Sequence, residues 1–501
     1  MADGRTRKSL RNTAYGVASQ LVAFVTSFAV RTVFVWQLGL EILGLNGLYT
    51  NVLNVLSLAD LGFGTAMVFA MYRPLRERDE RKVSALVNLY RRVYTILGVG
   101  IAVLGGALTP LLPVVVNLPQ WDNAYYGYYL LALAGVVATY FYAHRIALLQ
   151  ADQQIWIVHQ ANIAAALARA GLQLAALLVW RSFTGYLLIQ LGVAIGMNIF
   201  LAVRSRSRYP YLGRDELPAA ERAQVYSDMK YLGVYKFASV ILTHTDNIII
   251  SVIVGTVVVG YYSNYLIIVT ALTALTWVVV EALTASIGHL NAGDPPTRQY
   301  AVFNEILLVA GWMFGAVSVL MLLLFNDFIT LWLGADFTLD WLTVLAICVG
   351  FYVVGIHRPV IMYRETTGIF RQTAKVILVT ALLNLVLSVI LGMAWGIAGV
   401  LIATPISRLA TNTWYEPLVL FRLRFEARLR SYFGRLLVWA GAAVVAYLLA
   451  AWLCDLLPGP SWGIWLAKAG IGALVCAAVF TGASLLLPEF AAVRRRLRNL
   501  R

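Results

Sequence analysis

Long apolar segments, separated by loops that alternate between basic and nearly base-free, decide what this chain can fold into. Hydrophobic residues fill 60% of 501 positions, more than a water-soluble domain can cover. Segments of this length satisfy their backbone hydrogen bonds internally, as helices with a bilayer for solvent. The sequence predicts an all-α polytopic membrane protein with about fourteen transmembrane helices. They fall at 13–36, 43–71, 94–116, 129–149, 155–180, 183–203, 231–254, 257–286, 300–324, 341–363, 373–391, 396–418, 433–452 and 462–487. The connections after Trp180 and Leu391 are short.

The formal net charge is +15, and its placement is more informative than its size. Basic residues crowd the N-terminus (Arg5, Arg7, Lys8, Arg11) and the loop carrying Arg73 to Arg92. They recur at Arg204–Arg222, at Arg358–Lys375, at Arg422–Arg430 and at Arg494–Arg498. The intervening loops near Glu41, at 117–125, at 326–340 and at 455–461 carry no Lys or Arg, and Arg181 is the exception to the alternation. The bias predicts both termini in the cytoplasm. Basic loops beside the membrane favour anionic lipid headgroups, so the bilayer is an expected partner and nucleic acid is not.

Cys348, Cys454 and Cys476 are dispersed and define neither a disulfide framework nor a metal spacing. Walker A, HExxH and nucleophile-triad signatures are missing from the sequence, so no cofactor and no enzymatic activity are expected. The opening MADGRTRKSL lacks the short apolar core of a cleavable leader, and the first span is expected to remain in the membrane.

Polar stretches set a layout of six, six and two spans. The expected divisions are a first six-helix bundle at 1–210, a cytoplasmic connection at 211–230, a second bundle at 231–421, and an additional helix pair with a basic tail at 422–501. The two sixes share a register. Gln20 aligns with Lys236, Ser27 with Thr243, Arg31 with Asn247, Gly39 with Gly255, Gly44 with Gly260 and Tyr49 with Tyr265. Both halves start on the same side, so the repeat is parallel, with its axis along the membrane normal, as in some transporters.

Ionisable groups at membrane depth cost roughly 2.5–3.5 kcal/mol each on insertion scales and normally face a cavity or a partner. Several lie on single helical arcs. The first span carries Gly16, Gln20, Ser27 and Arg31, and the second Asn46, Thr50, Ser57, Asp60 and Gly64. The fifth carries Asn162, Arg169 and Gln173, and the seventh Lys236, Ser239, Thr243, Asp246 and Asn247. On the twelfth, Thr404 and Arg408 flank a kink expected at Pro405.

These stripes predict a central cavity with cationic walls. Arg31, Arg169, Lys236 and Arg408 would meet an anionic headgroup, with Gln20 and Asn162 beside them. Asp60 and Asp246 would pair with those cations or bind a coupling ion. The competing reading is buried ion pairs that fix helix packing. His244 is expected to make a structural hydrogen bond, and His357 to lie at the interface. Gly311 and Gly315 form a small-xxx-small pair suited to close helix approach.

The stretch LGLEILGLNGLYTNVLNVLSLADLGFGTAMVFAMYRPL (Leu38–Leu75) resembles the opening of Wzx-type polysaccharide transporters. These belong to the multidrug/oligosaccharidyl-lipid/polysaccharide (MOP) exporter superfamily. THTDNIIISVIVGTVVVGYYSNY (Thr243–Tyr265), GIAGVLIATPISRL (Gly396–Leu409) and WYEPLVL (Trp414–Leu420) are also similar.

The resemblance implies a flippase of the bacterial inner membrane. It would carry polyprenyl-diphosphate-linked oligosaccharide units across by alternating access, for capsule, O-antigen or exopolysaccharide. A polysaccharide polymerase and a chain-length regulator would be its partners. The additional pair beyond residue 422 departs from twelve-span relatives and is shared by lipid II flippases of the superfamily. A drug/cation antiporter would predict an acidic cavity. A membrane glycosyltransferase or polymerase would need a large extracytoplasmic loop that this sequence lacks.

Overall fold

A computed structural model of the chain describes residues 2–57, 63–118, 120–152, 154–293, 295–367, 369–425, 429–491 and 494. Within its helices, the side chains of 2–13, 63, 65, 66, 69, 224–236, 277–293, 370 and 371 lie outside that description. Among the described residues every regular element is helical.

Tertiary contacts divide the chain into two units, 1–260 and 261–501. The first holds α1 (Ala2–Leu56), α2 (Phe63–Glu77), α3 (Glu80–Leu108), α4 (Leu112–Val115), α5 (Ala124–Tyr140), α6 (Ala143–Ala151), α7 (Ile155–Trp180), α8 (Phe183–Arg208), α9 (Ala219–Ile253) and the first turn of α10 (Thr256–Gly293). The second holds the rest of α10, then α11 (Pro296–Trp332), α12 (Trp341–Ile356), α13 (Arg358–Thr367), α14 (Phe370–Ala410), α15 (Asn412–Leu420), α16 (Leu429–Cys454) and α17 (Trp462–Leu485).

Among the described residues, ten helices are long and apolar enough to cross a bilayer, and eleven with α5 and α6 taken as one span bent by 42°. The kink at Gly39 in α1, the break in α14 and the shorter apolar stretch Phe237–Ile253 are not counted as separate spans there, so the count is below the fourteen expected from the sequence.

The second arm of α14 is plain from its contacts. Helical dihedrals fail at Trp395 and Gly396. Asn384 Nδ2 donates to Thr404 Oγ1 at 3.0 Å, and the hydroxyls of Thr380 and Thr411 meet at 2.7 Å. Residues 20 and 31 positions apart touch only if the chain doubles back, because a straight helix rises 1.5 Å per residue. The break at Trp395–Gly396 falls at the connection expected after Leu391, whereas the backbone dihedrals stay helical through Pro405, where a kink was expected. The other short connection also turns as expected. Arg181 adopts a left-handed conformation, and Ser182 caps α8 by accepting the Gly185 N–H at 3.1 Å.

The repeated register has a backbone counterpart. Gly39 (φ 76°) breaks α1 and Gly255 (φ 135°) separates α9 from α10, both in the region that favours glycine. Five residues on, Gly44 and Gly260 meet in a reciprocal contact. A Cβ on Gly44 would lie 2.0 Å from the carbonyl oxygen of Thr256, and one on Gly260 would lie 2.4 Å from that of Leu40. Leu40 and Thr256 are themselves equivalent in the repeat. Tyr49 and Tyr265 are both fully buried. Tyr49 Oη donates to the Tyr125 carbonyl at 3.0 Å, and Tyr265 Oη to Asn326 Oδ1 at 2.6 Å.

The final pair, α16 and α17, is integral to the second unit. Gly311 and Gly315 of α11 leave the space that Trp439 and Phe480 occupy, since a Cβ at either glycine would fall 2.5 Å from those rings. Trp439 and Phe480 stack at 6.0 Å. Lys468 pairs with Asp327 at 2.7 Å, and Arg435 grips Glu489 through Nε at 2.6 Å and Nη2 at 3.1 Å.

Candidate functional site

In the first unit, α1, α7 and α8 bring two of the expected cations to one phenol. Arg31 on α1 and Arg169 on α7 both act electrostatically on Tyr186, near the start of α8. Gln173, one turn beyond Arg169, donates from Nε2 to the Tyr186 carbonyl at 3.3 Å and is itself buried. Phe34 packs edge-on against Tyr186 at 5.0 Å and against Phe183 at 5.7 Å, which walls one side of the group. Arg31 is half-buried and Arg169 exposed. Two guanidinium forks, each able to take an oxyanion bidentately, thus lie within electrostatic reach of one aromatic hydroxyl.

The remaining residues of these stripes spread around the group. Asn162 is half-buried on α7, two turns before Arg169. Gln20 and Ser27 are exposed, whereas Gly16 abuts His159, whose Nε2 would lie 3.4 Å from a Cβ. On α9, Asp246 is half-buried and Asn247 buried, and His244 Nδ1 lies 3.0 Å from Asn51 Oδ1 on the second arm of α1. Asp60 lies outside the described residues, and so does the side chain of Lys236.

Arg408 belongs to the second unit, on the second arm of α14. It acts electrostatically on Arg358, as do Arg364 and Glu365. Arg364 of α13, Glu416 of α15 and His357, which caps α12, form a buried network that sequence reasoning missed. Glu416 accepts from Arg364 Nη1 at 2.7 Å and meets His357 Nε2 at 2.9 Å. His357 is only 2% exposed and Glu416 1%, so both side chains are packed inside the protein. A buried carboxylate 59 positions away in the chain holds the histidine. Glu416 lies inside WYEPLVL, and that stretch was the available signal. Tyr186 had no comparable signal, being one tyrosine among 26.

No protein-family model and no curated protein matches the sequence. Solved structures do match. The lipid II flippase MurJ in an inward closed conformation superposes with a TM-score of 0.69 at 14% identity, covering 96% of this chain and 99% of that one. An inward-facing multidrug-resistance MATE transporter of the MOP superfamily gives 0.65 at 15% identity, covering 77% of this chain and 91% of that one. A MOP-superfamily transporter from Pyrococcus furiosus gives 0.61 at 15% identity, over 84% and 96%. The fold is that of MOP-superfamily transporters, an all-α polytopic membrane architecture.

Proposed function

We propose that this chain is a flippase of the bacterial inner membrane. Its substrate is a polyprenyl-diphosphate-linked oligosaccharide unit, moved from the cytoplasmic leaflet outward by alternating access for cell-surface polysaccharide assembly. The observation that carries the reading is the pair Arg31 and Arg169 around Tyr186. Two forked cations on neighbouring transmembrane helices suit a diphosphate, whose charge a bilayer excludes. Asn162 and Gln20 supply neutral hydrogen-bonding groups on the same helices. Lys236 and Arg408 are assigned to the same anion path, and Asp60 and Asp246 to charge pairing or ion coupling. Both termini are cytoplasmic on this reading, and a polymerase and a chain-length regulator act downstream.

Lipid II is the second candidate substrate. The observation favouring it is the span of the likeness to MurJ, which covers 96% of the chain and so takes in most of the final pair, whereas the MATE likenesses cover 77% to 84%. Purified protein in proteoliposomes decides between them. Outward movement of a fluorescent polyprenyl-diphosphate oligosaccharide, with lipid II unmoved, supports the first reading. The opposite preference replaces it with the second. Movement of neither, by protein that is folded and inserted, removes both.

A further inference from the structure

A second cationic group lies elsewhere in the first unit, on the short helix α6. Arg145 is half-buried, and its Nη1 is buried without a hydrogen-bond partner among the described residues. Among the described residues the charges acting on it are Arg91 of α3 and Arg206 of α8, both exposed, and no carboxylate figures among them. Asp152, at the C-cap of the same helix, is engaged elsewhere and accepts from Tyr209 Oη at 2.7 Å. Burial and that carboxylate together push the Tyr209 phenol above its ordinary range.

One further buried polar group adjoins this arginine, and another adjoins Arg206 in the chain. His144, 5% exposed, has Nδ1 unpaired and feels both Arg145 and Arg91. Ser205, fully buried and next to Arg206 in the chain, has its hydroxyl unpaired. Each orphaned donor costs the free energy of its lost solvation, and three like charges drawn together repel. An anion relieves both penalties at once. Arg91 follows the basic loop at 73–82, and Arg206 lies among the basic residues that end α8, so the group sits on the side assigned to the cytoplasm.

We propose that Arg145, Arg91 and Arg206 hold a phosphate group at the cytoplasmic end of the first unit, separate from the Arg31–Arg169 group. The planar fork of Arg145 provides a bidentate hold, and the two exposed arginines close over the remaining oxygens. The phosphate is either a free anion or the headgroup of a lipid in the adjoining leaflet, because basic pockets between helices at this face suit both.

The test measures binding and uses no transport substrate, so it stands whether or not the flippase reading survives. Full-length protein in detergent is titrated with inorganic phosphate. In parallel, nanodisc-embedded protein is scored by native mass spectrometry for lipid retained from phosphatidylcholine alone or from phosphatidylcholine with phosphatidylglycerol. Saturable binding of either probe, weakened about ten-fold or more in Arg145→Gln and less in Arg145→Lys, supports the site. Which probe binds then identifies the source.

Arg91→Gln and Arg206→Gln alter exposed side chains and leave the fold intact. Each is expected to weaken binding several-fold. Binding by both at the wild-type level overturns the proposal even if Arg145→Gln fails to fold, and so does a wild-type protein that takes up neither probe.

Discussion

The two units handle buried charge in opposite ways. In the second, cations meet carboxylates: Arg364 and His357 converge on Glu416, Arg435 on Glu489, and Lys468 on Asp327. In the first, Arg31 and Arg169 converge on a neutral phenol, and Arg145 is surrounded by its own kind. A compensated pair spends its field on fixing helices against one another. A cation such as Arg145, on which the acting charges are those of other arginines, keeps its field for something that arrives. The difference assigns architecture to the carboxylate-paired charges of the second unit, Arg408 standing apart from them, and ligand recognition to the cationic groups of the first.

The contrast is sharpest in transport. Arg31→Ala and Arg169→Ala are expected to reduce flipping in proteoliposomes to background while membrane insertion and melting temperature hold. Wild-type flipping by both variants would erase the assignment. Glu416→Ala should behave in the reverse sense. It strands Arg364 and His357 in a buried site, at a cost of about 3–5 kcal/mol, which a large fall in melting temperature would report. A stable Glu416→Ala protein would show that the network is not structural.

Next in size is Gly315→Ala. Its methyl group meets the Phe480 ring, and overpacking of this kind costs about 1–3 kcal/mol. The expected signature is faster proteolysis between α15 and α16, with α1 to α9 unaffected. The smallest effect belongs to the exposed pair Arg92–Glu216, 62% and 67% accessible. Its removal should leave the melting temperature unmoved, because solvent screens such pairs.

Spans and turns were legible in the sequence for a simple reason: apolar length and glycine act locally. The reversal between Leu391 and Gly396 and the matched breaks at Gly39 and Gly255 could be read without knowing any partner. Arg31 and Arg169 were legible because a charge on an otherwise apolar arc is expensive wherever the helix packs. Tyr186 was hidden, since its importance comes from which side chains two other helices deliver to it.

The Glu416–His357 pair was hidden for the same reason, as its members lie on different helices. Gly311 and Gly315 announced a close approach but not its occupants, which sit more than a hundred positions downstream. Arg145 was hidden twice over. It ends no long apolar arc, and a basic residue near the cytoplasmic boundary reads as ordinary topology.

The reciprocal contact of Gly44 and Gly260 has a consequence for how this chain can vary. Each position presses on the peptide backbone of the other segment, not on a side chain that might shrink to make room. Enlarging one therefore cannot be offset by trimming its counterpart, because there is nothing left to trim. The two matched segments are tied together at this point, so that neither is free to drift alone.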